Sequence, residues 1–208
     1  LKHRPRGGTR WNIILAAAIS VLSAAAIGVA WLAPAEKQLG DAVKLIYLHA
    51  GLVLVSMLLV TVVGIFGLLY LVTGREIFLA WAKPAKLVTL IFWTVYLLQS
   101  MLAMYLTWNR VVFNEPRFLM AASILAALAA IYLLSTVFEA PRVIASLNVV
   151  MGAGVWILVS QVGAVMHPTS NPISSSSSAL IKVDSLLIFL FLLAAAAVSV
   201  TLAKRLAR

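Results

Sequence analysis

Residues 43–73 read VKLIYLHAGLVLVSMLLVTVVGIFGLLYLVT, a run of about thirty positions with a single lysine and no acid. A run of this length exceeds the roughly twenty residues a helix needs to cross a ~30 Å hydrocarbon core. It is also far longer than the roughly ten-residue alternating segments of a membrane barrel. Five further apolar segments flank it, so the expected spans are 11–33, 43–73, 87–109, 117–138, 142–166 and 179–203. Residues 1–10 read as a basic N-terminal tail, 11–203 as one six-span membrane domain and 204–208 as a basic C-terminus. The predicted fold class is an all-α integral membrane protein, a six-transmembrane-helix bundle with both termini cytoplasmic.

Composition agrees. Of 208 residues 63% are apolar and 11% charged, against about half and about a quarter in a soluble domain. A soluble nucleic-acid binder is excluded, although the net charge is +10. The placement of that charge accounts for it. With the N-terminus inside, eleven basic residues fall inside (Lys2, Arg4, Arg6, Arg10, Arg75, Lys83, Lys86, Arg142, Lys204, Arg205, Arg208) and five outside (Lys37, Lys44, Arg110, Arg117, Lys182), the bias that sets topology. The first segment ends near Ala33-Pro34-Ala35, which has the form of a signal-peptide cleavage site. Its apolar core of more than twenty residues outruns an h-region of about 7–15, so it reads as a retained span. The protein is expected in the inner (cytoplasmic) membrane as a multi-pass chain, with lipid as a partner and no nucleic acid.

The inner loops are expected at 74–86 and 139–141, the outer ones at 34–42, 110–116 and 167–178, with Pro84 and Pro141 at span starts, where a missing N–H costs little. Gly51, Gly64, Gly152 and Gly154 offer places where backbones approach closely. Gln99, Ser100, Asn148, Ser160 and Gln161 are expected to hydrogen-bond between helices. Asp184 is expected to pair with Lys182 or to orient an imidazole.

Cysteine is absent, which excludes disulfides, thiolate catalysis, iron–sulfur clusters and covalent haem attachment through Cys. No Ser/His/Asp set, carboxylate pair or phosphate loop appears, so hydrolytic chemistry has no support. Of three histidines, His3 lies in the basic tail. His49 and His167 are expected at one depth, near the outer ends of the second and fifth spans. Zinc takes four protein ligands, or three and a water, and no cluster completes such a set. Haem iron needs two axial ligands, and two histidines across a bundle suit it. An interfacial histidine that only hydrogen-bonds to a carbonyl or a headgroup is the competing reading. Tyr47, Met101, Met104, Tyr105, Trp108, Phe113 and Trp156 offer walls if spans two, three and five adjoin. Arg110, Arg117 and Lys182 offer cations for propionates.

Ala33-Pro34-Ala35-Glu36-Lys37-Gln38-Leu39-Gly40-Asp41, continuing through Lys44-Leu45-Ile46-Tyr47-Leu48-His49, resembles the entry to the second span in the CcmC-type family, the haem-handling membrane proteins of cytochrome c maturation. The resemblance runs from about residue 30 to 205, and the Gln-x-Gly-Asp…Ile-Tyr-x-His stretch is its specific part. It implies that His49 and His167 match the family's two outer-face haem ligands, holding a non-covalent haem b, and that a haem chaperone or c-type cytochrome on the outer face is a partner. The sequence departs from the family between spans three and four. There it reads Tyr105-Leu106-Thr107-Trp108-Asn109-Arg110-Val111-Val112-Phe113-Asn114-Glu115-Pro116-Arg117, in which Trp108, Phe113 and Glu115 stand where the family has a Trp-rich motif. Two functions follow: haem traffic, or a b-type haem electron-transfer subunit of a larger membrane complex. A haem-free structural subunit is the third. All three are transfer or scaffold roles rather than turnover of a substrate.

Overall fold

In the computed structural model, which describes residues 6–36, 39–162, 173 and 176–207, six helices account for almost everything. They are α1 (Arg6–Leu32), α2 (Val43–Thr73), α3 (Glu76–Trp108), α4 (Pro116–Val137), α5 (Pro141–Gln161) and α6 (Ala179–Leu206). All six are long and apolar enough to cross a membrane. Helices solve the problem that lipid sets, since each backbone N–H finds its carbonyl within the same segment. Side-chain hydroxyls follow the same logic: Thr61, Thr89, Thr94, Ser100 and Ser185 each donate to the carbonyl four residues back.

The helix ends are specified locally. Gly74 closes α2 at φ 66°, its N–H donating to the Tyr70 carbonyl at 2.7 Å, a left-handed cap that glycine adopts without Cβ cost. Asn109 closes α3 in the same region, at φ 58°. Pro116 and Pro141 start α4 and α5, where no helical N–H is lost. Glu115 caps α4, its carboxylate accepting from Phe118 N at 2.7 Å.

α2 is the central helix. It packs against α3, α5 and α6, while α1 lies along α6 and α4 along α3 and α5. Within their most apolar windows 44% of α2 is buried but only 11% of α1, the more peripheral helix. The start of α1 and the end of α6 come together, where Arg205 Nε donates to Asn12 Oδ1 at 3.3 Å and Lys204 Nζ lies 3.2 Å from the centre of the Trp81 ring.

Three expectations need correction. The third span begins at Glu76, not 87: only Gly74 and Arg75 separate it from α2, and the expected inner loop is helix. Pro84 stands inside α3 rather than at its start. A proline removes one donor and crowds one carbonyl, that of Ala80, and the flanking Phe78–Trp81 and Ala85–Leu90 stretches carry the helix through it. The basic segments expected as tails are likewise helical from Arg6 to Arg10 and from Lys204 to Leu206. α5 ends at Gln161, and residues 163–166, expected to complete it, lie outside those described.

The glycine pairing is also specific. A Cβ on Gly64 would stand 3.0 Å from the Gly152 Cα, and one on Gly152 2.8 Å from the Gly64 Cα, so these two join α2 to α5 backbone to backbone. Gly67 deepens the contact, its Cβ position lying 2.6 Å from the Ala145 carbonyl oxygen. Gly51 instead faces Ile188 and Leu192 of α6, and Gly154 faces open space. The expectation that Asn148 hydrogen-bonds between helices is not met. Its side chain is fully buried in the α2–α5 contact with neither amide atom hydrogen-bonded among the described residues, because the facing positions are glycines.

Candidate functional site

His49 sits in the second turn of α2, half-buried, on the side that meets α3. Its Nδ1 lies 2.9 Å from Gln99 Oε1. The amide nitrogen of Gln99 donates to the Leu45 carbonyl at 2.7 Å, one helical turn before His49. That second bond settles the roles. An amide has one acceptor end and one donor end; with the donor spent on Leu45, the oxygen accepts from His49. Within this pair His49 Nδ1 is the donor. A ring nitrogen held as donor to a fixed acceptor is the usual support for an imidazole that ligates through the other nitrogen.

Aromatic rings brace the imidazole from α3. Tyr96 is tilted at 51° against it with centroids 5.2 Å apart, and Trp93 meets Tyr96 edge-on at 5.6 Å. Both rings are buried, and Trp93 Nε1 donates to the Ala121 carbonyl of α4 at 2.9 Å. Thus a helix of one hairpin carries the ring while the next two fix its plane. Arg117 stands one helical turn before Ala121 on α4, the turn that meets Trp93.

The other residues singled out from the sequence lie elsewhere or outside the description. Tyr47 is two positions before His49 and so points to another side of α2. It is 1% exposed, and its hydroxyl donates to the Pro34 carbonyl at 3.3 Å. Asp184 makes no salt bridge to Lys182; an ion pair among the described residues joins Lys44 and Asp41 at 2.8 Å. Glu36 and Gly40 pair across a tight turn, with Glu36 also accepting from Leu39 N at 3.1 Å. Within the specific stretch, Gly40 and Asp41 belong to the turn that leads into α2, Tyr47 bonds back to Pro34, and His49 meets α3.

Trp108, Arg110 and Phe113 stand at the far end of α3. Trp108 is nine residues beyond Gln99, about 14 Å further along the helix axis. Arg110 and Phe113, both exposed, line an open depression of about 550 Å³ with Val111, Val112 and Asn114. Phe113 packs edge-on against Phe118, 5.8 Å away. Trp156 lies on α5, its Nε1 donating to Thr61 Oγ1 at 2.8 Å. Of the expected adjacencies, α2 meets both α3 and α5, while α3 and α5 barely touch. His167 lies outside the described residues, as do Lys37 and Gln38. Among the described residues no three His, Asp or Glu side chains converge as a metal site.

These features define a polytopic all-α membrane protein with one oriented imidazole near one end of its central helix. No family model matches the chain, and no curated protein does.

Proposed function

We propose that the chain is a haem-binding membrane protein, in which His49 and His167 would hold the haem iron. The observation that carries this reading is the Gln99 bridge. A histidine that served only as a hydrogen-bonding surface residue would not need its ring held by an amide that is itself anchored to the backbone one turn below. The residues around His49 suit a porphyrin edge: Tyr96 and Trp93 give aromatic bulk, and Arg117 supplies positive charge for a propionate. When bound, haem supplies reversible one-electron iron chemistry or is itself the cargo. The chain's own part is to orient the ligand, hold the Nδ1 proton and present apolar walls.

In this reading the protein spans the inner membrane, with the basic face cytoplasmic and His49 toward the outer leaflet. The resemblance to the CcmC-type family supports haem traffic, with a chaperone or c-type cytochrome as acceptor. The α3–α4 connection favours a second reading. It presents the exposed Phe113 and Arg110 over an open depression rather than a row of tryptophans, which suits a resident b-type haem in an electron-transfer subunit.

The test is the visible spectrum of the detergent-purified protein, oxidised and reduced, with and without added hemin. A low-spin b-type spectrum that H49A and H167A each abolish or turn high-spin supports the site. A wild-type protein that stays colourless after hemin overturns it. Release to an apo-cytochrome then separates carrier from resident haem.

A further inference from the structure

α5 meets α2 across a surface with almost no side chain on it. Gly152 rests on Gly64, and Gly67 on Ala145 and Asn148. Glycine faces set how close two helices lie, but without interlocking side chains they do not fix how far one has slid along the other. Among the described residues one side-chain hydrogen bond links α5 to another helix, Trp156 Nε1 to Thr61 Oγ1 at 2.8 Å. The arrangement is unfavourable at one point. Asn148 is 0% exposed and both its amide atoms lack a partner among the described residues, in surroundings where an unsatisfied polar group is costly.

The partners it lacks lie one turn away. Asn148 is beside Gly67, and α2 ends at Thr73. The Gly74 N–H takes the Tyr70 carbonyl, but among the described residues no backbone N–H donates to the carbonyls of Leu71, Val72 or Thr73, the usual state of a helix end. Leu71 stands four residues beyond Gly67, on the same face of α2.

We infer that α5 has a second register on α2, reached by a slide of about 5 Å, one helical turn, toward the Gly74 end. Gly64 and Gly67 are one turn apart, so Gly152 leaves the first glycine and rests on the second, and the close approach of the helices is kept. Asn148 moves from beside Gly67 to the level of Leu71. There its amide N–H donates to a free carbonyl of the α2 end, and its oxygen meets water at the level of the headgroups. Ser160, four residues past Trp156, arrives opposite Thr61 and replaces the lost hydrogen bond. Because α5 is one helix from Pro141 to Gln161, all of it moves as a piston. What Asn148 bonds near one surface of the membrane then sets the height of Gln161 near the other. One-turn ratchets of one packed element past another are a known form of switching.

The chain has no cysteine, so paired nitroxide labels can be placed on it without background. L54C and V143C are at exposed positions toward opposite ends of the α2–α5 contact, and a slide changes their separation by nearly its full length. Double electron–electron resonance of the full chain in lipid nanodiscs is expected to give two distances for this pair about 5 Å apart, the longer from the second register. N148L, and N148A with its smaller side chain, should leave only the shorter, because neither has an amide to satisfy. An α2–α6 pair, L54C with L206C, should give one distance throughout. Circular dichroism confirms that each labelled variant is folded. A single distance for L54C/V143C with Asn148 in place overturns the inference. So does a longer distance that persists unchanged in N148L and N148A, and so does an equal splitting of the α2–α6 pair, which puts the motion in α2 itself.

Discussion

Toward its start α2 meets α3 through side chains, His49 to Gln99 and Gln99 to Leu45. In its second half it meets α5 with almost no side chain between, Gly64 on Gly152 and Gly67 on Ala145. The two contacts do different work. Lipid tails are as apolar as leucine, so membrane helices associate through close packing and polar links rather than hydrophobic burial. Glycine contact sets the separation of two helices and leaves no room for a ligand. The hydrogen-bonded contact keeps the helices a side chain apart and fixes the direction of one ring. The glycine contact therefore holds the bundle together, and the hydrogen-bonded one sets the orientation of an imidazole.

Substitutions that confuse the two contacts should give the largest effects. Gly67→Ala puts a methyl carbon 2.6 Å from a backbone oxygen and should destabilise the bundle by about 1–3 kcal/mol, the usual cost of overpacking, read by thermal unfolding in detergent with no separate effect on ligand affinity. At the other contact Gln99→Leu should lower hemin affinity by about 10–100-fold, as loss of an outer partner of a ligating histidine does. Its stability should fall by only about 0.6 kcal/mol, the average of a membrane hydrogen bond. A Gln99→Leu protein that unfolds but binds normally would erase the distinction. Asn148→Leu should raise stability by about 1 kcal/mol or more, because it removes a buried amide with no partner. Glu115→Ala should cost about 1 kcal/mol, as the loss of a helix cap does. Smallest is Tyr47→Phe, which should cost about 0.6 kcal/mol or less for its long 3.3 Å bond and leave the spectrum unchanged.

Six spans were legible because lipid permits so few solutions and apolar length nearly suffices; the start of the third was not, since α3 begins at Glu76 rather than 87. His49 was legible as an ionisable residue in a span. Its partner was not, and the reason is the proline. Reading 74–86 as a loop, with Pro84 at the start of the third span, centres the hairpin at residue 80, which places His49 level with residue 111 and so with Trp108, Arg110 and Phe113. The real turn is centred on Gly74. Positions twenty-five before and twenty-five after it are then level, and these are His49 and Gln99. A membrane helix carries an internal proline because neighbouring turns hold it in helical shape, so the Gly74 cap was the stronger signal. Asn148 misled for a different reason. Polarity predicts a hydrogen bond only when the facing helix offers a group to bond, and glycines bring backbone already committed to its own helix.

The two-residue link between α2 and α3 has a consequence for biosynthesis. A helical hairpin so tightly joined enters the bilayer as a pair, and His49, Gln99, Tyr96 and Trp93 all belong to it. The oriented imidazole is thus complete within one continuous stretch of chain, before α5 and α6 have been made. The glycine seam to α5 can close only afterwards, around a histidine whose direction has already been chosen.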